Sequence, residues 1–182
     1  MINQSIRVLS LAVALSIQVD ADHQLKAQTN SLLFSKTTNQ PRTNQTKSAT
    51  MNNQAAQTVK TFLTAVQQGN QQTLAALIHP DIHWNQPGTN RFSGTKTSGT
   101  AVFQMVGGMV EASSHTLKLT DIKQLTVNGN KVACVVHWQA VQPGGGTLNV
   151  DNIDVYTVEN GKIVEATVYS EDIAQEDYFW GK

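Results

Sequence analysis

The sequence predicts an α+β fold: a cone-shaped, curved antiparallel sheet packed on three N-terminal helices. Two observations carry that prediction. Between residues 55 and 112 the apolar residues recur at helical spacing, whereas from residue 117 onward they alternate with polar ones. The alternating stretch is also punctuated by Asn128-Gly129 and Asn160-Gly161, both strong hairpin turns. Helices first and an antiparallel meander afterwards place the helices on one face of the sheet. A strongly curved sheet closed in this way leaves a conical pocket.

Each element follows in order. Ala55, Val59, Phe62, Leu63 and Val66 fall at i, i+4, i+7, i+8 and i+11, an amphipathic helix stopped by Gly69-Asn70. A short second helix places Leu74, Leu77 and Ile78 on one side and ends at His79-Pro80. Asp81 to Gln86 reads as a strand, and Pro87 to Gly94 as a turn-rich loop. The third helix runs from about Thr100 to Ala112, with Val102, Met105, Val106 and Met109 as its buried stripe. Leu117 to Val127 then alternates. Val132 to Val141 is apolar on both faces, which reads as a central strand covered twice. Val150 to Val158 and Ile163 to Tyr169 complete the sheet.

Charge divides the chain. Met1 to Thr50 holds five basic and two acidic residues, net +3; Met51 to Lys182 holds eight basic and eleven acidic, net −3. A mildly acidic domain lacks the concentrated basic face that nucleic-acid binding needs. The lone Cys134 excludes an intramolecular disulfide and a thiolate metal cluster. Residues 1–21, with the apolar run Val8 to Val19, read as a secretory signal or an N-terminal extension. That run is too short for an integral membrane span, which needs about 20 residues. In residues 22–50, Asn, Gln, Ser and Thr supply 16 of 29 residues, the composition of a disordered polar linker. The folded domain is expected over residues 51–182. An active signal would make the protein exported or periplasmic; translation from Met51 would make it cytoplasmic.

Several stretches carry a family resemblance. They are Val59-Lys-Thr-Phe-Leu-Thr-Ala-Val66, His79-Pro-Asp-Ile-His-Trp-Asn-Gln-Pro-Gly88, and Asn152-Ile-Asp-Val-Tyr-Thr-Val-Glu-Asn-Gly-Lys-Ile-Val-Glu165 continuing to Tyr178-Phe-Trp-Gly181. Residues 51–182 resemble the nuclear transport factor 2-like (cystatin-like) superfamily, and within it the SnoaL-like polyketide cyclases and their ketosteroid isomerase relatives. The resemblance implies a small-molecule pocket and puts Asp154 where those isomerases keep a protonated Asp that donates to an oxyanion. It also implies departures. The isomerase base position holds Gln86, and the position of its catalytic Tyr holds Phe62. The epoxide hydrolases of the superfamily need an Arg between two Asp residues, and no Arg follows Arg91. Neither of those mechanisms is expected here.

The candidate site follows from alternation. Asn152, Asp154 and Tyr156 share one face of their strand. A six-residue Gln142–Thr147 loop would bring His137 opposite Asn152 and diagonal to Asp154, giving an acid/base pair; a one-residue slip would turn His137 outward. Asp154 and His137 are therefore the catalytic candidates. Phe62, Trp84, Asn85, Met105, Asn152 and Tyr156 are the ligand-binding candidates. His79 and His83 flank Pro80 with no third ligand nearby, so no metal and no cofactor is expected. Two readings follow: acid/base catalysis of cyclase or isomerase type on an enolisable carbonyl such as an apolar polyketide, or a non-catalytic ligand-binding module. A third is a protein-interaction module, with a homodimer formed through the outer sheet face at Ile153, Val155 and Tyr169. Tyr178, Phe179 and Trp180 are expected to cap the cone or to pack in a dimer interface.

Overall fold

In the computed structural model, residues 42–181 are described. The expected signal or extension (1–21), most of the expected linker, and Lys182 lie outside them. The helices are α1 (Arg42–Gln68), α2 (Gln71–Leu77), α3 (Gly99–Ala112) and α4 (Ile173–Trp180). The strands are β1 (Ile78–Gln86), β2 (Gly94–Lys96), β3 (Lys118–Asn128), β4 (Lys131–Val141), β5 (Thr147–Glu159) and β6 (Lys162–Ser170). They form one curved, open sheet in the order β2-β1-β6-β5-β4-β3.

The meander β3 to β6 is antiparallel, as alternation requires, and β5 turns into β6 through a two-residue hairpin. Asn160 and Gly161 both have positive φ (50° and 75°), the geometry that lets a two-residue turn follow the twist of its strands. The sheet as a whole is mixed, because β1 pairs parallel with β6. That pairing requires a long crossover, which the rest of the chain supplies.

Several boundaries differ from the sequence reading. Helix α1 starts nine residues before Met51, inside the segment read as linker. Ile78, His79 and Pro80 belong to β1 rather than to the end of the second helix. Thr95 and Lys96, beyond the expected loop, pair with β1 as a short edge strand. Strand β4 is sealed on one face and only half-buried on the other, so it is covered once. Val106 is exposed.

Val59, Leu63, Ile82, Val132, Val136 and Ile163 are completely or almost completely buried between the helices and the inner face of the sheet. Helix α4 closes this core. Phe179 and Trp180 are buried, and Trp180 packs edge-on against Phe92 with ring centroids 5.5 Å apart. Tyr178, between Asp177 and this pair, is exposed. Asp177 fastens the helix to the loop after β1, accepting hydrogen bonds from the Thr89 and Asn90 backbone N–H groups, the Thr89 hydroxyl and the Asn90 amide. Gly88 is required beneath it: a Cβ there would lie 2.2 Å from Asp177 Oδ1, and its φ is +88°.

Candidate functional site

A cavity of about 190 Å³ opens between the inner sheet face and the helices. Leu63, Val102, Met105, Met109, Val150 and Val168 make much of its wall. An engineered apolar cavity of about 150 Å³ is enough to bind benzene, so this one has room for a small carbon skeleton. Phe103 and Val106 also line it while remaining partly exposed, which places its mouth beside α3.

Against that apolar wall stand a few polar groups. β5 presents Asn152, Asp154 and Tyr156 inward at every second residue; α4 contributes Glu176 and β1 contributes Gln86. Asp154 is 3% exposed. The Tyr156 hydroxyl donates to its Oδ2 at 2.8 Å, and its Oδ1 has no hydrogen-bond partner among the described residues. Burial pushes this carboxyl up to about 7, against the lowering effect of the Tyr156 bond and with a further rise from nearby Glu176. Burial, with Asp154 alongside, likewise holds the Tyr156 phenol well above its usual range.

Glu176 is 2% exposed, and burial raises its pKa too. The Ser170 and Asn152 side chains lie beside its carboxyl and act against that rise, while Oε1 has no hydrogen-bond partner among the described residues. Asn152 Oδ1 is also buried without a partner. Cys134 lies behind Asp154, its Sγ 3.6 Å from the Asp154 carbonyl oxygen. Burial and the Asp154 charge push that thiol to about 12, which keeps it an unreactive apolar filler.

Of the residues singled out from sequence, Phe62, Trp84, Met105, Asn152, Asp154 and Tyr156 meet at this cavity. Phe62, Trp84 and Tyr156 form a mutual ring cluster with centroids 5.5 to 6.5 Å apart. Two candidates fall elsewhere. His137 pairs with Asp151, one residue short of the expected register, because Val141 pairs with Thr147 and the loop holds only Gln142 to Gly146. Its ring therefore lies on the outer sheet face, where Nδ1 is 2.5 Å from Asp151 Oδ1 and Nε2 is 3.1 Å from Asn149 Oδ1. It cannot reach Asp154. Asn85 is exposed, because the inward positions of β1 are Ile82, Trp84 and Gln86. Gln86 lines the cavity instead, its Oε1 accepting from Trp84 Nε1 at 3.1 Å.

Sequence reasoning missed Glu176. Its signal is the spacing to Phe179 and Trp180, three and four residues later, which puts it on the buried face of any helix formed there. Among the described residues, no group of three or more His, Cys, Asp or Glu is placed to hold a metal ion. No helix there is long and apolar enough to cross a membrane.

Helices laid over a curved sheet, with buried carboxyls in an apolar cavity, define a cone-shaped α+β domain of the nuclear transport factor 2-like class. Residues 59–166 match the SnoaL-like domain family, and the chain belongs to it. A protein of unknown function with a cystatin-like fold from Xanthomonas campestris is 36% identical, with a TM-score of 0.68 over 70% of this chain and 98% of that one. Bal32a, from a soil-derived mobile gene cassette, is 24% identical with a TM-score of 0.68 over 72% and 99% of the two chains. A protein described as a SnoaL-like polyketide cyclase, from Jannaschia sp. CCS1, shares the fold at 15% identity, with a TM-score of 0.59 over 72% and 95%. No curated protein matches the chain.

Proposed function

We propose that this domain binds an apolar, enolisable carbonyl compound in its cavity and transfers a proton on it, with Asp154 as the acid/base group. One observation carries the reading: a carboxyl oxygen, Asp154 Oδ1, is buried at an apolar cavity with no hydrogen-bond partner among the described residues. Tyr156 occupies Oδ2, so the proton of the neutral acid resides on the oxygen that faces the ligand. A group titrating at about 7 can both give and take a proton near neutrality, the condition for efficient general acid/base catalysis. As an acid it donates to the carbonyl oxygen; as a carboxylate it removes a proton from the adjacent carbon. A cyclase- or isomerase-type reaction needs either or both of these steps. The Jannaschia protein described as a SnoaL-like polyketide cyclase shares the fold, an analogy that fits this class of substrate.

A second reading, a non-catalytic binding module, is favoured by Gln86 and Phe62. Gln86 is an amide already engaged by Trp84, and Phe62 has no hydroxyl. Asp154 therefore lacks the helpers that isomerase relatives place at those two positions. In either reading the domain pairs as a homodimer through the outer sheet face, where Ile153 and Tyr169 are exposed cross-strand neighbours.

The test is exchange of the α-protons of a panel of apolar cyclic ketones in heavy water, followed by NMR. The wild-type protein should accelerate exchange, and Asp154→Asn should lose about 100-fold or more of that acceleration. Unchanged exchange in the variant would remove Asp154 from the mechanism. Binding of ketones without exchange would establish the second reading.

A further inference from the structure

Proton transfer at Asp154 leaves two buried oxygens of the cavity unexplained. Asn152 Oδ1 and Glu176 Oε1 are both hidden from solvent, both belong to residues that line the cavity, and neither meets a donor among the described residues. Buried polar atoms without partners are rare and costly, and two on side chains that lie against each other call for a common explanation.

The chemistry of the two groups specifies what would satisfy them. The Asn152 side chain lies against the Glu176 carboxyl, and of its two polar ends only the amide nitrogen can donate there, which leaves its oxygen over. An amide oxygen is an acceptor in every protonation state of the protein. Glu176 Oε1, without a partner among the described residues, can accept a hydrogen as a carboxylate or donate one as the acid. The pair is therefore anchored from two elements, β5 and α4, and it presents a fixed acceptor beside an adaptable group. A hydroxyl suits this arrangement, since its one hydrogen goes to the amide oxygen and its oxygen accepts from Glu176 in the acid form. A bare hydrocarbon or a lone ether or ketone oxygen would leave Asn152 Oδ1 unsatisfied.

Spacing relates this pair to Asp154. Asn152 and Asp154 are consecutive inward residues of one strand, so their backbone positions lie about 6.7 Å apart. That is on the order of the span across one substituted six-membered ring.

We propose that Asn152 and Glu176 form a second polar subsite that accepts a hydroxyl hydrogen of the ligand, so that the compound recognised is an apolar hydroxy-carbonyl with its carbonyl at Asp154 and its hydroxyl at Asn152 and Glu176. The inference rests on the reading that the cavity binds a small molecule. It adds which functional groups that molecule carries and where each is held. Binding involves no covalent change. Glu176 is here a ligand-binding residue, and its neighbour Asn152 shares that role.

The experiment compares three fluorescent bicyclic probes on the whole protein: naphthalene, naphthol and methoxynaphthalene, which has the oxygen without the donor. Naphthol should bind about tenfold more tightly than either of the others, the worth of one good hydrogen bond to a buried acceptor. Asn152→Leu, similar in size and apolar, should bring the three affinities within about twofold of one another. If that variant does not fold, Glu176→Gln, which also alters the anchor of Asn152, should reduce the naphthol preference. His137→Asn, on the opposite sheet face, should retain it. Equal binding of naphthol and naphthalene by the wild-type protein would overturn the subsite while leaving the apolar pocket standing. So would a naphthol preference that survives both cavity variants. Binding of none of the three would overturn the pocket reading itself.

Discussion

Strand β5 carries two aspartates three residues apart whose surroundings drive them in opposite directions. Asp154 points inward among apolar side chains, and burial raises its carboxyl to about 7. Asp151 points outward, where the hydrogen bonds from Lys123 and His137 lower its pKa. The same residue type on the same strand thus has its carboxyl raised toward neutrality on one face and held below its ordinary range on the other. The difference lies in strand parity. Odd-numbered residues of this stretch look toward solvent, and even-numbered ones look into the cavity. Function here is a property of a face, and a shift of one residue exchanges the two.

The tyrosines of the sheet offer the harshest way to break the contrast. Tyr156 is 1% exposed, packs against Phe62 and Trp84, and holds Asp154 Oδ2. Tyr169, across the sheet on β6, is 57% exposed. Tyr156→Ala should cost about 3–5 kcal/mol in chemical denaturation, as truncation of a buried aromatic does. Tyr169→Ala should change the monomer's stability by less than about 0.5 kcal/mol. Its effect should appear in sedimentation as weakened self-association. Comparable losses of folding stability for the two would mean that the faces are not as unlike as their exposures indicate.

That parity also governs what could be read from the sequence. Asp154, Asn152 and Tyr156 were legible because alternation within one strand needs no knowledge of any other strand. His137 was not, because its position relative to β5 depends on a Gly144-Gly145-Gly146 loop whose length no side chain specifies. One residue fewer in that loop moved it from the cavity to the outer surface. Asn85 failed by the same single step, its neighbours Trp84 and Gln86 facing inward. Glu176 failed for a different reason. It reaches the site from a short C-terminal helix, and only the aromatic pair Phe179 and Trp180 marks which side of that helix is buried. The three N-terminal helices and the two Asn-Gly hairpins were legible because their signals are local, whereas the C-terminal helix α4 and the edge strand β2 were not. The parallel pairing of β1 with β6 was not, since it joins segments at opposite ends of the domain.

The next largest effect separates the two aspartates by pH. Because the folded state holds Asp154 protonated to about 7 while the unfolded chain releases that proton near its ordinary value, the folded protein binds more protons in between. This contribution to stability should therefore be fully present below about pH 4, fall as pH rises, and be lost above about pH 7. A shift of roughly three units corresponds to about 4 kcal/mol at most. Glu176, also raised by burial, adds a slope of the same sign. Asp154→Asn should flatten most of this decline, leaving the Glu176 contribution, and should be more stable than the wild type at alkaline pH. A wild-type stability flat across that range would show that the cavity around Asp154 is far more hydrated than its burial implies.

Asp151 reverses the sign and shrinks the effect. Its lowered pKa means that the carboxylate contributes stability above its unfolded pKa, and that this contribution is lost as pH falls through the folded value. The partners are exposed enough for solvent and salt to screen them: the Lys123 side chain retains 43% of its exposure and Asp151 25%. Asp151→Asn should accordingly leave stability near neutral pH almost unchanged and blunt only the acid limb of the unfolding profile. Added salt should erase much of the difference between variant and wild type. Proton exchange and probe binding in the cavity should be unaffected, because Asp151 and His137 lie on the far side of the sheet from every group that lines it. A loss of cavity binding in Asp151→Asn would mean that the outer charge cluster holds β5 in place, and that the two faces are coupled through the strand they share.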